Sequence, residues 1–193
     1  MQLVDIVDEQ VRPTGQRVPL NEATDKGLWH CGAHAVIYAA DGQILVEKRA
    51  ANIIFQPNML DITMGGIVNA GEKPEAAVLR EIKEELGLHF EEANLEFIGV
   101  SRYNHAFPSY RKQNRCFTYN YLIKIEDTHL DFHLQKSEVS EVRFLPLTDI
   151  KKLLKRGRYA SFGRLEPQYK YYASLVTAVE GRLSSSARSS LLL

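Results

Sequence analysis

The sequence predicts a single domain of the mixed α/β (α+β) class, and three observations carry that expectation. Short apolar stretches bounded by turn residues read as strands, as in residues 3–7, 33–38 and 43–48. Two longer stretches space their apolar residues three and four apart, which gives a helix one face for a core. Val78, Leu79, Ile82 and Leu86 form the first stripe, and Tyr169, Tyr172, Leu175, Val176, Val179 and Leu183 the second. Finally, 193 residues, 45 % hydrophobic and 25 % charged, suffice for one globular domain, and no linker marks a second. The domain is expected over residues 1–183, with the Ser-rich residues 184–193 as a flexible, low-complexity tail.

In chain order, residues 3–7 alternate as a strand and residues 8–15 read as a turn. Residues 33–38 and 43–48 form a hairpin, because Asp41-Gly42 between them favours a tight two-residue turn. Residues 50–59 read as a loop or short irregular helix, and residues 61–68 as a strand. Pro74 suits the first turn of the next helix, where its missing N–H costs nothing, and Gly87 suits the left-handed position just past its end. Residues 95–103, 115–125 and 139–145 read as strands, with a long loop, NHAFPSYRKQN, between the first two. Thr148 is placed to cap a short helix bearing Ile150, Leu153 and Leu154, and Pro167 opens the C-terminal helix.

Composition excludes several function classes. Lys plus Arg total 24 and Asp plus Glu total 24, so no net charge draws the chain to nucleic acid or to a membrane surface. No apolar run approaches the length that spans a bilayer, and the acidic N-terminus lacks a signal-peptide pattern. Cys31 and Cys116 have no metal-ligand spacing, which points to a reducing, cytoplasmic compartment.

The chemistry concentrates in residues 66–88, GIVNAGEKPEAAVLREIKEELGL. Glu81 shares a helix face with both Glu84 and Glu85, and such like-charge pairs repel by roughly 0.2–0.5 kcal/mol each. Arg80 is placed to relieve Glu84, but one arginine does not neutralise three carboxylates. A hard divalent cation does, since magnesium takes oxygen ligands from carboxylates and substrate phosphates. The alternative is a solvated acidic face. The spacing decides between them: Gly66, Glu72, Arg80-Glu81-Ile82, Glu84-Glu85 and Gly87-Leu88 match GX5EX7REUXEEXGU, with U apolar, at every fixed position. Seven identities at roughly one in fifteen give about one chance in 10^8 per starting point.

On these residues the chain resembles the Nudix hydrolases. The resemblance implies an α/β/α sandwich with a mixed sheet between helices. It also implies cleavage of a diphosphate linkage with Mg²⁺, or Mn²⁺ in its place, usually in a nucleoside diphosphate derivative. A small-molecule diphosphate is then the expected partner, with neither nucleic acid nor membrane, and the family leaves a homodimer open. Carried onto matching positions, Glu81 and Glu85 are primary metal ligands and Glu84 a further ligand or water-positioning group. The carbonyl of Gly65 joins the coordination and Arg80 orients the glutamates. Glu72 either supports the ligands from outside or favours the helix dipole. Glu138, in the loop before a late strand, fits the family's additional acid, as base or extra ligand, ahead of Glu141.

The segment from residue 8 to about 50 more loosely resembles the isopentenyl-diphosphate isomerase-like branch of the superfamily. There an arginine at the place of Arg49 contacts diphosphate, and histidines at the places of His30 and His34 help bind metal, although both can equally be structural. Arg102, Arg111, Lys112 and Arg115, interleaved with Tyr103, Phe107 and Tyr110, supply phosphate-binding cations and stacking surfaces in one long loop. That loop is alternatively a dimer contact or a solvated tip.

Two rivals stand beside hydrolysis. True isomerases need a protonating cysteine and a metal-binding histidine before the box, and Gly65 and Ile67 hold those places here. Their usual diphosphate-binding lysine is replaced by Ile53. A nucleotide-sensing module without catalysis is the other rival, but such modules typically lose box glutamates, and all are present in this chain.

Overall fold

The computed structural model describes residues 1–53, 56–107, 112–155 and 166–190, except for the side chains of residues 107, 112, 166–169 and 186–190. The chain divides into two compact units, Met1–Ala35 with Gly65–Glu81 and Phe90–Tyr121, and Val36–Met64 with Ile82–His89 and Leu122–Leu193.

In the first unit, β1 (Leu3–Val7) and β2 (Pro13–Pro19) form an antiparallel ribbon in which Asp5 opposes Arg17. The turn expected over residues 8–15 is shorter. Asp8 Oδ1 accepts the backbone N–H groups of Gln10 and Arg12, which closes the turn before Pro13. A proline can then start β2, because this two-stranded ribbon leaves its edge unpaired. Helix α1 (Leu20–Lys26), which no periodic stripe announced, ends at Gly27 in the left-handed conformation, φ 61°. Val4, Ile6 and Ala23 are its core, with Val18, Leu20, Leu28 and Ile67 packed around them.

Among the described residues the main sheet has seven strands. Its path runs β5 (Leu60–Asp61), β4 (Gln43–Arg49), β3 (Trp29–Ala39), β8 (Lys112–Ile125), β7 (Glu96–Phe107), with β6 (Met64–Ile67) paired to β3 and β9 (Val139–Pro146) to β4. The hairpin forms as its turn residues predict: Gly42 has φ 85°, the Asp41 carboxylate accepts the Gln43 N–H, and Tyr38 opposes Ile44. The single strand expected over residues 61–68 is broken in two. Asp61 Oδ1 accepts both the N–H and the hydroxyl of Thr63, an Asx turn that competes with ladder pairing.

Helix α2 (Pro74–Leu86) buries Val78, Ile82 and Leu86 of the predicted stripe completely, with Ala77 beside them, while Leu79 is half-buried. Each large side chain so buried contributes about 1.5–3 kcal/mol. In the second unit, α3 (Leu147–Lys155) packs on α4 (Glu166–Ser190), and Lys151 Nζ reaches Glu180 at 2.6 Å. Thr148 lies inside α3 rather than at its cap. Helix α4 buries Tyr172, Leu175, Val176 and Val179, as its periodicity requires. It continues beyond Leu183 to Ser190, where the composition suggested a frayed tail. Ser184 and Ser185 accommodate this by donating to the carbonyls of Glu180 and Gly181, four residues back. The mixed α+β class is thus the observed one. Among the described residues no helix is long and apolar enough to cross a membrane.

Candidate functional site

The loop and helix of residues 66–88 set the carboxylates. Gly65, at φ 141°, lies so close to Ala33 that a Cβ would run into the Ala33 carbonyl. A Cβ on Gly66 would stand 2.7 Å from Glu81 Oε1. The Glu81 carboxylate therefore occupies the space that glycine leaves, and the first glycine of the motif acquires a steric reason. Along α2, Glu81 is partly buried, Glu84 is exposed and Glu85 is only 8 % exposed.

Arg80 organises the near end of this row. Its Nε donates to Glu72 Oε1 at 2.9 Å, its Nη2 to Glu72 Oε2 at 3.1 Å, and its Nη1 to Glu81 Oε1 at 2.9 Å. Nη2 also donates to the Ile67 carbonyl, which ties the fork to the loop. Burial acts to raise the Glu72 pKa, but Arg80 and the Asn69 N–H outweigh it and hold the carboxyl below its usual range. Arg80 thereby links Glu72 to Glu81.

The far end of α2 is fastened to the segment before β9. His133 N–H donates to the Leu86 carbonyl and Gln135 N–H to the Glu85 carbonyl, both satisfying helix-end acceptors. Glu138 N–H donates in turn to the Gln135 carbonyl, and the Glu138 carbonyl accepts the Ala50 N–H. The backbone of the exposed Glu138 is thereby tied, through Gln135, to the turn of α2 that carries Glu85. Glu141 is exposed farther along on β9.

Arg49 closes β4, with Nη1 3.5 Å from Glu47 Oε1. Glu47, which motif reasoning passed over, is 2 % exposed and faces Asp61 directly across the β4–β5 pair. Tyr172 Oη of α4 donates to Asp61 Oδ2 at 3.0 Å. Burial, then the Asp61 charge, push the Glu47 carboxyl up to about 8, against the pull of Arg49. The available signal was an acid directly after three apolar strand residues, ILVEKR.

The long loop expected between residues 103 and 115 is largely strand. Arg102 lies on β7 and Arg115 on β8, and cross-strand pairing brings them to one aromatic platform. Trp29 and Phe117 stack at 4.6 Å, with the Arg102 guanidinium 4.6 Å and that of Arg115 5.7 Å from the Trp29 ring centre. Arg102 also meets Glu9 at 3.2 Å, and Arg115 Nη1 donates to the Gly27 carbonyl. Arg111 lies outside the described residues.

His30 is fully buried, with Nδ1 3.2 Å from the Leu28 carbonyl, and burial holds its pKa below the usual histidine value. His34 is half-buried on β3. Among the described residues no three His, Cys, Asp or Glu side chains are gathered as a ready metal cage. The side chains that could hold a metal are a helical row of carboxylates, all oxygen, and of the two histidines His30 is enclosed in the core. That set suits a hard divalent cation completed by substrate and water.

Comparison with known proteins adds three findings. A family model described as the NUDIX domain matches residues 28–165. The chain is 32 % identical over 147 residues to an uncharacterised Nudix hydrolase of Escherichia coli K12, YfcD, spanning 76 % of this chain and 75 % of that one. Two solved structures share the fold. A Deinococcus radiodurans protein, 20 % identical, aligns with a TM-score of 0.63 over 92 % of this chain and 99 % of its own. A bifunctional NMN adenylyltransferase/ADP ribose pyrophosphatase of Francisella tularensis, complexed with AMP and a Mn ion, is 17 % identical. It aligns with a TM-score of 0.52 over 77 % of this chain and 41 % of its own.

Proposed function

The chain belongs to the Nudix family, and from that premise we propose a Mg²⁺-dependent hydrolase that cleaves the diphosphate linkage of a nucleoside diphosphate derivative or a similar small diphosphate. Hydrolysis of pyrophosphate bonds is the family's activity. The observation that carries the finer reading is the braced carboxylate row: Glu81 lodged over Gly66 and held by the Arg80–Glu72 fork, with Glu85 one turn on in the same helix.

In this reading Glu81 and Glu85 hold the metal, with Glu84 and the Gly65 carbonyl completing its protein ligands. Bound there, the cation would offset phosphate charge and lower the pKa of a water. The protein's own contribution is orientation. Arg80 keeps the Glu81 carboxylate turned by donating to one of its oxygens. Glu138, on its anchored loop, is the candidate to take a proton from the attacking water; its exposure keeps it open to solvent. Arg49, Arg102 and Arg115 are the cations assigned to substrate phosphates, Arg111 being a fourth from sequence. The nucleoside preference finds support in the family relationship and in the AMP bound by the Francisella protein. The two free thiols, Cys31 and Cys116, support a reducing, cytoplasmic setting for what we take to be a single catalytic domain.

The test is release of phosphate or nucleotide from a broad diphosphate panel, with Mg²⁺, with Mn²⁺ and with excess chelator. Turnover that vanishes in chelator and increases towards alkaline pH is expected, because an ionised water nucleophile becomes commoner as pH rises. Full activity in chelator, or one-to-one nucleotide binding without turnover, would defeat it.

A further inference from the structure

Glu47 and Asp61 form a second acidic feature, separate from α2. As direct partners in an antiparallel pair they lie on one face, with Cβ atoms about 4.5–5.5 Å apart. Both are buried, at 2 % and 8 % exposure. Two carboxylates this close in a dry setting do not both ionise readily. Their surroundings are unequal. Asp61 accepts three hydrogen bonds, from the Thr63 N–H, the Thr63 hydroxyl and the Tyr172 phenol. Among the described residues Glu47 has the long contact from Arg49, and its buried Oε2 has no hydrogen-bond partner there. Burial and the neighbouring Asp61 therefore favour a proton on Glu47, the less well hydrogen-bonded of the two. The charged and titratable groups around Glu47 are Asp61 on β5, Arg49 on its own strand, Glu138 before β9 and, beyond Asp61, Tyr172 on α4.

This arrangement bears on Arg49, whose side chain is 30 % exposed at the end of β4 while Glu47 lies deeper on the same face. With one proton on the pair, Arg49 and the acid pair sum to zero charge. With none, they sum to minus one, the acids claim the guanidinium, and an approaching anion is repelled. We propose that Glu47 is a positioning residue for phosphate recognition: its carboxyl fixes the Arg49 guanidinium, and a proton held between Glu47 and Asp61 leaves that guanidinium its charge for an anionic phosphate group. The inference rests on the reading of Arg49 as a diphosphate contact. Its sign is definite. Affinity is full while the proton is held and falls as pH rises and removes it, so KM increases with pH even while metal-assisted chemistry increases kcat.

The experiment is the pH profile of KM and kcat for any hydrolysed diphosphate, in wild type, Glu47→Gln and Arg49→Ala. The glutamine copies the protonated acid in size and charge. Wild-type KM should rise about threefold or more between roughly pH 7 and 9, as expected for a binding equilibrium linked to one proton. In Glu47→Gln the pH dependence of KM should disappear, and in Arg49→Ala KM should be high throughout. A Glu47→Gln profile that tracks wild type overturns the proposal while leaving hydrolysis intact. A second measurement uses the wild-type protein: the carboxyl carbon resonance of Glu47, assigned by its loss in Glu47→Gln. It should report a protonated acid at pH 6 whose titration midpoint rises when inorganic pyrophosphate is added. A Glu47 carboxylate already ionised at pH 6, or a midpoint that ignores pyrophosphate, overturns the proposal. Failure of the hydrolase reading looks different, with no turnover by wild type of any diphosphate.

Discussion

Arg80 grips Glu72, eight residues away, with two hydrogen bonds from the edge of its guanidinium, at 2.9 and 3.1 Å, and turns a third N–H to Glu81. A forked donor is needed for this, and lysine is not forked. Because the folded Glu72 pKa is depressed, its share of stability is present above the unfolded carboxylate value and is lost as pH falls through the folded one. Glu72→Gln should therefore flatten the loss of melting temperature on acidification below about pH 4.5. At neutral pH it should lower kcat through a loosened Arg80, and Arg80→Lys should do the same. Thermal unfolding from pH 3 to 7 beside steady-state kinetics checks both; an unchanged acid limb in Glu72→Gln would show that the fork contributes nothing to folding.

Glu85→Gln should abolish most turnover with the fold intact. The substitution keeps side-chain volume and removes one of three neighbouring charges. Without metal, stability should be unchanged or raised by roughly 0.2–0.5 kcal/mol as repulsion with Glu81 is relieved. With metal the order reverses, since the variant lacks an anionic ligand. Melting curves with and without Mg²⁺, read beside kcat, distinguish this from a purely structural glutamate, which would lose stability and activity together.

Arg115→Ala should raise KM more than it lowers kcat, as loss of a contact made equally in the ground and transition states does. It should also lose about 1 kcal/mol of stability, because the guanidinium lies by Trp29 and donates to the Gly27 carbonyl. Arg102→Ala, at a more exposed position, should share the kinetic effect with a smaller stability cost. Unchanged kinetics in both would leave the platform a structural device.

Isopentenyl diphosphate should not be converted to its allylic isomer. The places of the needed cysteine and histidine are held by Gly65 and Ile67, and the Gly65 backbone leaves no room for a side chain against Ala33. Allylic product formed at rates comparable to diphosphate hydrolysis would overturn that ranking.

The sequence by itself determined the motif, its helix and the family, because these rest on local rules. A glycine cap, an N-terminal proline and a 3.6-residue stripe are properties of neighbouring residues, and α2 runs from Pro74 to Leu86 as they require. The Asp41-Gly42 hairpin and the apolar face of α4 were legible for the same reason. Tertiary structure decided the partners that no spacing encodes. It gave Glu72 to Arg80, lodged Glu81 over Gly66, and drew the presumed loop around Arg102 and Arg115 into strands, because β7 and β8 pair and Trp29 with Phe117 supplies a surface to cover. Glu47 shows the difference most clearly. In the sequence it is one more acid before a lysine and an arginine, and its chemistry arises only where β4 and β5 set it opposite Asp61, away from water, where a nearby like charge acts with little screening.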